Sequence, residues 1–319
     1  MKETLNTAES AAATRAAMRA GRGLRAQRRD AYFALWLILP TLLAVFAVSV
    51  YPLGYSLWES MLQVNIFEHT TRFVGLSNYA TALQDPELQA AFGRTAYFTV
   101  LAVVGTTLLG LVMALVLNER FIGRGVVRSI VLIPWAMAPV VVGFLWAWFY
   151  DGSYGTLNGI LYQLHLIKGY IPWLQNGFVA LNLVGLTYIW NQAPLASLLL
   201  LAALQAIPGD LYEAAQLDRA NVVQRFRYVT LPFLTPMLLL VLILASINAV
   251  LAFDLFYVMT YGGPGTATTV VAWLGYLTAF HYLNFPSGTA ILYLLTIVSL
   301  ILAAVYIRLL SRPEVSLEQ

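Results

Sequence analysis

An all-α membrane protein with six transmembrane helices is the fold class this sequence predicts, and three observations predict it. Apolar residues make up 60% of the 319 positions and charged residues only 10%, against about 25% charged in soluble domains. Six stretches are long and nearly free of charge, each meeting the roughly 20 residues needed to cross a ~30 Å hydrocarbon core. Between two of them lies a hydrophilic island, residues 208–232, carrying Asp210, Glu213, Asp218, Arg219, Arg225 and Arg227. A charge in hydrocarbon costs about 2.5–3.5 kcal/mol by the mildest scale, so the island must be presented to water.

Residues 1–30 form a basic tail holding Lys2, Arg15, Arg19, Arg22, Arg25, Arg28 and Arg29. Its arginine spacing fits a helix lying on an anionic leaflet, or a disordered basic tail. The apolar run that follows is too long for a signal peptide, and no small-residue cleavage site closes it. The transmembrane region covers 31–312. Its first span is expected at about 31–58, with Pro40 and Pro52 inside or at its end, followed by a polar excursion through Glu68, Arg72, Asp85 and Glu87. The second is expected at 95–118 and, after a short basic loop, the third at 129–150, opening with a break at Ile133-Pro134. A Gly- and Tyr-rich loop leads to the fourth at 178–207. The island, the fifth span at 233–260, the sixth at 287–307 and a short tail at 313–319 complete the chain. Residues 267–285 are expected to form a re-entrant or surface helix. A seventh span there would carry Arg308 and Arg312 to the other side.

Orientation follows from the basic residues. With the N-terminus in the cytoplasm, the inner segments hold the seven of the tail, then Arg120, Arg124 and Arg128, then Arg219, Arg225 and Arg227, then Arg308 and Arg312. The outer loops hold only Arg72, Arg94 and Lys168. Both termini and the island therefore fall on the cytoplasmic side. Because basic residues cluster at span ends, the net charge of +3 implies no nucleic-acid partner. No cysteine is present and the three histidines lie far apart, so no metal site is expected.

The island carries helix punctuation. Pro208-Gly209 breaks the preceding span, and Asp210 sits where an N-cap belongs, with Glu213 three residues on. Asn221 and Gln224 repeat that spacing, with Asp218-Arg219-Ala220 as the turn between two short helices. Val222, Val223, Phe226 and Val229 share a face of the second helix, which Leu231-Pro232 ends. Ala214 and Ala215 would let another backbone approach closely. Capped helices with an uncovered apolar stripe point to docking on a partner.

Glu213-Ala214-Ala215 followed by Val229-Thr230-Leu231-Pro232 resembles the signature of permease subunits of binding-protein-dependent ABC importers. That signature runs Glu-Ala-Ala, a Gly four residues on, and Ile-x-Leu-Pro at fixed distance. Arg219 stands where the family has Gly. An L-residue in the left-handed conformation costs about 1–2 kcal/mol. The turn is therefore expected to place Asp218 or Asn221 there instead, or the family's Gly is not left-handed. Two further motifs narrow the group. Thr260-Tyr261-Gly262-Gly263-Pro264 with Thr268 or Thr269, and Phe73-Val74-Gly75-Leu76-Ser77-Asn78-Tyr79 with Asp85-Pro86, are similar to sugar permeases of the maltose and glycerol-phosphate importer type.

The resemblance implies a type I ABC importer permease fold with a cytoplasmic coupling-helix loop, in a prokaryotic inner membrane. It implies a second homologous permease, an extracytoplasmic substrate-binding protein and two cytoplasmic ATPases that use ATP. This chain would bind no cofactor, contact membrane lipid and carry no catalytic residue. Asp210, Glu213, Ala214, Ala215, Asp218, Arg219, Phe226, Leu231 and Pro232 are the implied docking residues. The residues agree on the energy source: with only Lys2 and Lys168, neither after a glycine, no P-loop is present.

The substrate would be a mono- or oligosaccharide or a polyol. Polar side chains inside the spans are the expected pathway: Tyr188, Asn191 and Gln192 on the fourth, beside Pro194, and Ser246, Asn248 and Asp254 on the fifth. Interhelical hydrogen bonding is the alternative role for such residues. Three other readings are a permease for a non-sugar solute, a membrane scaffold, and a secondary transporter of a small polar solute. The scarcity of charge inside the spans opposes the last.

Overall fold

A computed structural model describes residues 33–34, 36–65 and 70–310; the basic tail, Arg312 and residues 313–319 lie outside the described residues. The first helix, α1 (Trp36–Glu59), belongs to a unit of its own. It holds a π-turn over Phe46–Val50, in which the Tyr51 N–H reaches Phe46 O. Pro52 explains the widening: it lacks an N–H and its ring collides with the carbonyl four residues back, and an i→i+5 turn relieves the clash.

The rest of the chain forms a second unit. A short antiparallel hairpin comes first, β1 (Leu62–Asn65) paired with β2 (Thr70–Phe73). This qualifies the all-α expectation. Asn78 at the start of α2 (Ser77–Gln84) fastens the hairpin, its Nδ2 donating to Ser60 O and Leu62 O at 2.8 and 2.7 Å.

The core is built on α3 (Pro86–Asn118) against α7 (Gly177–Gln205). Asp85 caps α3, accepting from Glu87 N at 2.9 Å, with Pro86 at the first position. The helix thus starts well before the expected 95, because Arg94 within it is satisfied: it lies 3.7 Å from Glu87 and donates to Thr269 O and Thr266 Oγ1, both at 3.1 Å. Hydrocarbon offers no hydrophobic force between helices, so close packing must hold them together. Small residues permit it. A Cβ on Gly110 would stand 2.7 Å from Ala196 Cβ, and one on Gly185 2.5 Å from Leu101 Cδ2. At one end of this pair Phe98 packs edge-on to Tyr188 and Phe256, at 5.3 and 4.8 Å.

The third expected span is broken. Helices α4 (Arg124–Ala136) and α5 (Pro139–Phe149) meet at 93°. The break lies at Met137-Ala138, and Pro134 sits inside α4. Pro139 causes it: a residue before proline is pushed out of the helical region, and Ala138 has ψ 134°. A short helix α6 (Thr156–Gln163) and a 3₁₀ turn lead to α7. There the buried Asn158 amide binds Asp151 O, Ile171 O, Ile171 N and Trp173 Nε1 at 2.9–3.1 Å.

The island supplies α8 (Gly209–Leu217) and the start of α9 (Val222–Val250). The second island helix does not stop at Pro232. It runs on through a π-turn over Phe226–Thr230, where Leu231 N–H reaches Phe226 O, the same answer to a proline at the same offset as in α1. The span also ends earlier than 260. After Leu251–Phe253 the chain restarts as α10 (Asp254–Met259), with Asp254 in its first turn. Gly143 of α5 receives α10, its absent Cβ lying 3.0 Å from Val258 Cβ.

Residues expected to form a re-entrant or surface helix make α11 (Val271–Tyr276), prolonged by a π-turn over Leu277–His281. It is too short to cross a bilayer and is packed inside the unit, with Val271 through Gly275 buried. Helix α12 (Phe285–Leu310) closes the described chain. Among the described residues five helices are long and apolar enough to cross a membrane, or six with the bent pair as one.

Candidate functional site

The island is more rigidly built than its charge suggests. Pro208, not Asp210, is the N-cap of α8; Asp210 lies in the first turn without a capping bond, where its charge still favours the helix dipole. At the far end Ala220 N–H reaches Ala215 O and Arg219 N–H reaches Gln216 O, both at 3.0 Å. That pair of bonds is a Schellman motif, whose C′ residue must be left-handed. Arg219 occupies C′ with φ 54°. The position the family gives to Gly is therefore left-handed here, and Arg219 itself takes it. Asp218 (φ −75°) and Asn221 (φ −73°) do not.

Asn221 then forms a complete capping box with Gln224. Its Oδ1 accepts from Gln224 N at 2.9 Å, and Gln224 Oε1 accepts from Asn221 N at 2.8 Å. A Tyr212–Thr230 hydroxyl pair at 3.0 Å ties α8 to α9. Asp210, Glu213, Ala214, Asp218 and Arg219 are exposed, Ala215 and Phe226 half-buried. Leu231 and Pro232 lie within α9, not at its end. Beside them opens a recess of about 680 Å³ lined by Tyr212, Val222, Val223, Arg225 and Phe226 and by the C-terminal end of α3. Val222 and Val223 remain 71% and 72% exposed while Phe226 and Val229 are half-buried, so the leading half of the apolar stripe is uncovered among the described residues.

The second site is a cavity of about 320 Å³ where α7, the α9–α10 break and the first residue of α5 meet. Tyr188, Asn191, Gln192, Asn248 and Asp254 all line it. Ser246 does not; it is buried, bonded to Leu242 O at 2.6 Å and to Tyr306 Oη of α12 at 2.7 Å. Asn191 is also engaged: its Nδ2 donates to Pro134 O at 2.6 Å, and its Oδ1 accepts from Gln192 Nε2 at 2.6 Å. The Pro134 carbonyl needs this partner because the helix stops three residues later, leaving only Met137 N at 3.4 Å. Tyr188 Oη is buried and makes no hydrogen bond among the described residues. Asn248 and Asp254 are exposed.

Sequence reasoning missed Pro139 and Phe253 on the cavity wall; the signals were a second proline after Pro134 and an aromatic residue beside the span's lone acid. A narrower recess sharing Tyr188, Gln192 and Asn248 continues along α7 and α9 between Leu195, Leu199, Val241 and Leu244.

The Gly-Gly-Pro segment is a turn held by the threonines of its motif. Gly262 has φ 81°, and its O accepts from Thr268 N at 3.0 Å and Thr269 Oγ1 at 3.2 Å. Thr268 Oγ1 also bonds Gly263 O at 2.9 Å. Among the described residues no group of acids and histidines could hold a metal ion.

A family model described as the inner membrane component of binding-protein-dependent transport systems matches residues 106–315. The trehalose/maltose transport system permease protein MalF of Thermococcus litoralis is 40% identical over 88% of this chain and 94% of its own length. The trehalose transport system permease protein SugA of Mycobacterium tuberculosis is 34% identical over 89% of each. Among solved structures, a chain of a bacterial ABC transporter involved in import of the acidic polysaccharide alginate matches with a TM-score of 0.76 at 21% identity, over 90% of this chain and 98% of its own.

Proposed function

Because this chain belongs to the family of inner membrane components of binding-protein-dependent transport systems, it is a transport permease and not an enzyme, and we propose that it is one of two permeases in an ATP-driven sugar importer. In this reading the cavity receives a mono- or oligosaccharide or related polyol from an extracytoplasmic binding protein. Two ATPase subunits grip the 208–232 loop from the cytoplasm, where the basic-residue bias places the loop and both termini. ATP is bound and used by those subunits.

The observation that carries the reading is the loop. Exposed Glu213 and Ala214 sit on a short helix fixed at its C-terminal end by the Schellman motif, beside the uncovered stripe of Val222 and Val223. Such a helix suits insertion into a partner's groove. It is joined by Tyr212–Thr230 to α9, whose opposite end bears the Asn248 side of the cavity. A sugar suits that cavity because amide, phenol and carboxylate groups can each meet a hydroxyl. The names of the relatives support the same class.

Glu213→Arg tests the reading. The variant should insert into the membrane at the normal level yet lose uptake. Normal uptake at that level would defeat the docking role.

A further inference from the structure

We propose that Tyr261, Tyr257 and Phe253 form an aromatic track along which a sugar ring passes between the exposed Gly-Gly-Pro turn and the cavity. This extends the site beyond its amides and rests on the sugar reading above.

Tyr257 lies within α10, Phe253 immediately before it and Tyr261 two residues beyond its end, and ring contacts bring the three into one file. Phe253 and Tyr257 are 5.6 Å apart between centroids with planes 13° apart, and Tyr257 and Tyr261 are 5.2 Å apart. Steps of this size are comparable to the spacing of successive rings along a glycosidic chain. Trp273 backs all three, at 5.8, 5.5 and 6.1 Å, and is itself only 2% exposed. The track rings line the edge of the core, Phe253 and Tyr257 packing against the cluster that holds Phe256 and Trp273, and exposure rises outward along the file. Tyr261 is 65% exposed, and Tyr257 and Phe253 are half-buried.

The inner end decides the ligand. Phe253 is part of the cavity wall, and the next residue, Asp254, lines the same cavity and is exposed. An apolar ring face beside a carboxylate suits a molecule with flat C–H faces and a rim of hydroxyls, which is a sugar. An aromatic belt at the membrane surface would explain Tyr261 but not a file of rings running into a polar cavity.

The experiment measures binding-protein-dependent uptake by the whole complex in proteoliposomes, with glucose, trehalose and maltotriose as probes. Tyr257→Ala is expected to raise the half-saturating concentration of the transported sugar about tenfold, the upper worth of a single stacked ring. Tyr257→Phe, which keeps the ring, is expected to stay within about twofold of wild type. Unchanged uptake by Tyr257→Ala overturns the track. So does a Tyr257→Phe loss as large as that of Tyr257→Ala, which would mark a hydroxyl bond, or failure of Tyr257→Ala to co-purify with the other permease, which would mark a subunit interface. A wild-type complex that carries none of these three, nor any of a wider panel of mono- and oligosaccharides and polyols, overturns the sugar reading itself.

Discussion

Replacing Asn191 with alanine should cost the protein stability and leave its substrate affinity alone. The side chain lines the cavity, yet its amide is spent. It donates to Pro134 O at 2.6 Å and accepts from Gln192 at 2.6 Å. Pro134 O is left without its helical partner where Pro139 ends α4, and Asn191, itself only 2% exposed, is the side chain that covers it. Interhelical hydrogen bonds in membranes average about 0.6 kcal/mol and reach about 1.7. This one lies at the upper end because its acceptor has only the 3.4 Å bond from Met137 N besides. Alanine also removes the acceptor for Gln192, so the expected cost is about 1–2 kcal/mol, a fall of roughly 2–6 °C in Tm. The assay is the thermal transition of the detergent-purified complex, run beside the concentration dependence of uptake. Asn248→Ala is the contrasting control: Asn248 is exposed, so its loss should weaken apparent affinity and spare the transition. A raised half-saturating concentration for Asn191→Ala with an unmoved transition would refute the argument.

Three more outcomes follow from the geometry. Arg219→Gly should stabilise the Schellman turn by about 0.5–1 kcal/mol, the relief of left-handed strain less the entropy glycine loses; slower hydrogen exchange at residues 209–220 would show it, and faster exchange would contradict it. Gly110→Leu should prevent close approach of α3 to α7, since even a Cβ there meets Ala196 at 2.7 Å, whereas Gly93→Ala on the same helix meets nothing within 4 Å and should be silent in expression and thermal stability. A double-mutant cycle of Ser246→Ala and Tyr306→Phe should give a coupling of about 0.6–1.7 kcal/mol; a coupling near zero would mean the 2.7 Å pair contributes nothing to joining α9 and α12.

The lipid-crossing helices were readable from sequence because the bilayer leaves one backbone solution to a charge-free run. Their ends were harder. Arg94 reads as a stop, but in the fold it is neutralised by Glu87 and by two oxygens of the 260–270 segment, which only tertiary structure supplies. Pro134, Pro139 and Pro232 look alike in sequence. One sits inside a helix, one breaks it, and one is absorbed by a π-turn, depending on what each preceding residue can bond. Five of the six polar span residues converge on the cavity. Ser246 does not, because its partner Tyr306 stands sixty positions away and sequence does not reveal which polar groups are already paired. The hairpin at 62–73 escaped notice because four-residue strands are too short to show a period.

The unbroken run from Val222 to Val250 has a mechanical consequence. Asn248 lies 17 residues beyond Leu231, about 25 Å along the axis at 1.5 Å per residue. The π-turn beside Pro232 is where that rod is least regularly bonded and so the natural fulcrum. A tilt of about 5° there sweeps Asn248 through about 2 Å over that arm, a distance that makes or loses a hydrogen bond. A push too small to disturb any fold at the island thus suffices to change what the far wall of the cavity can hold.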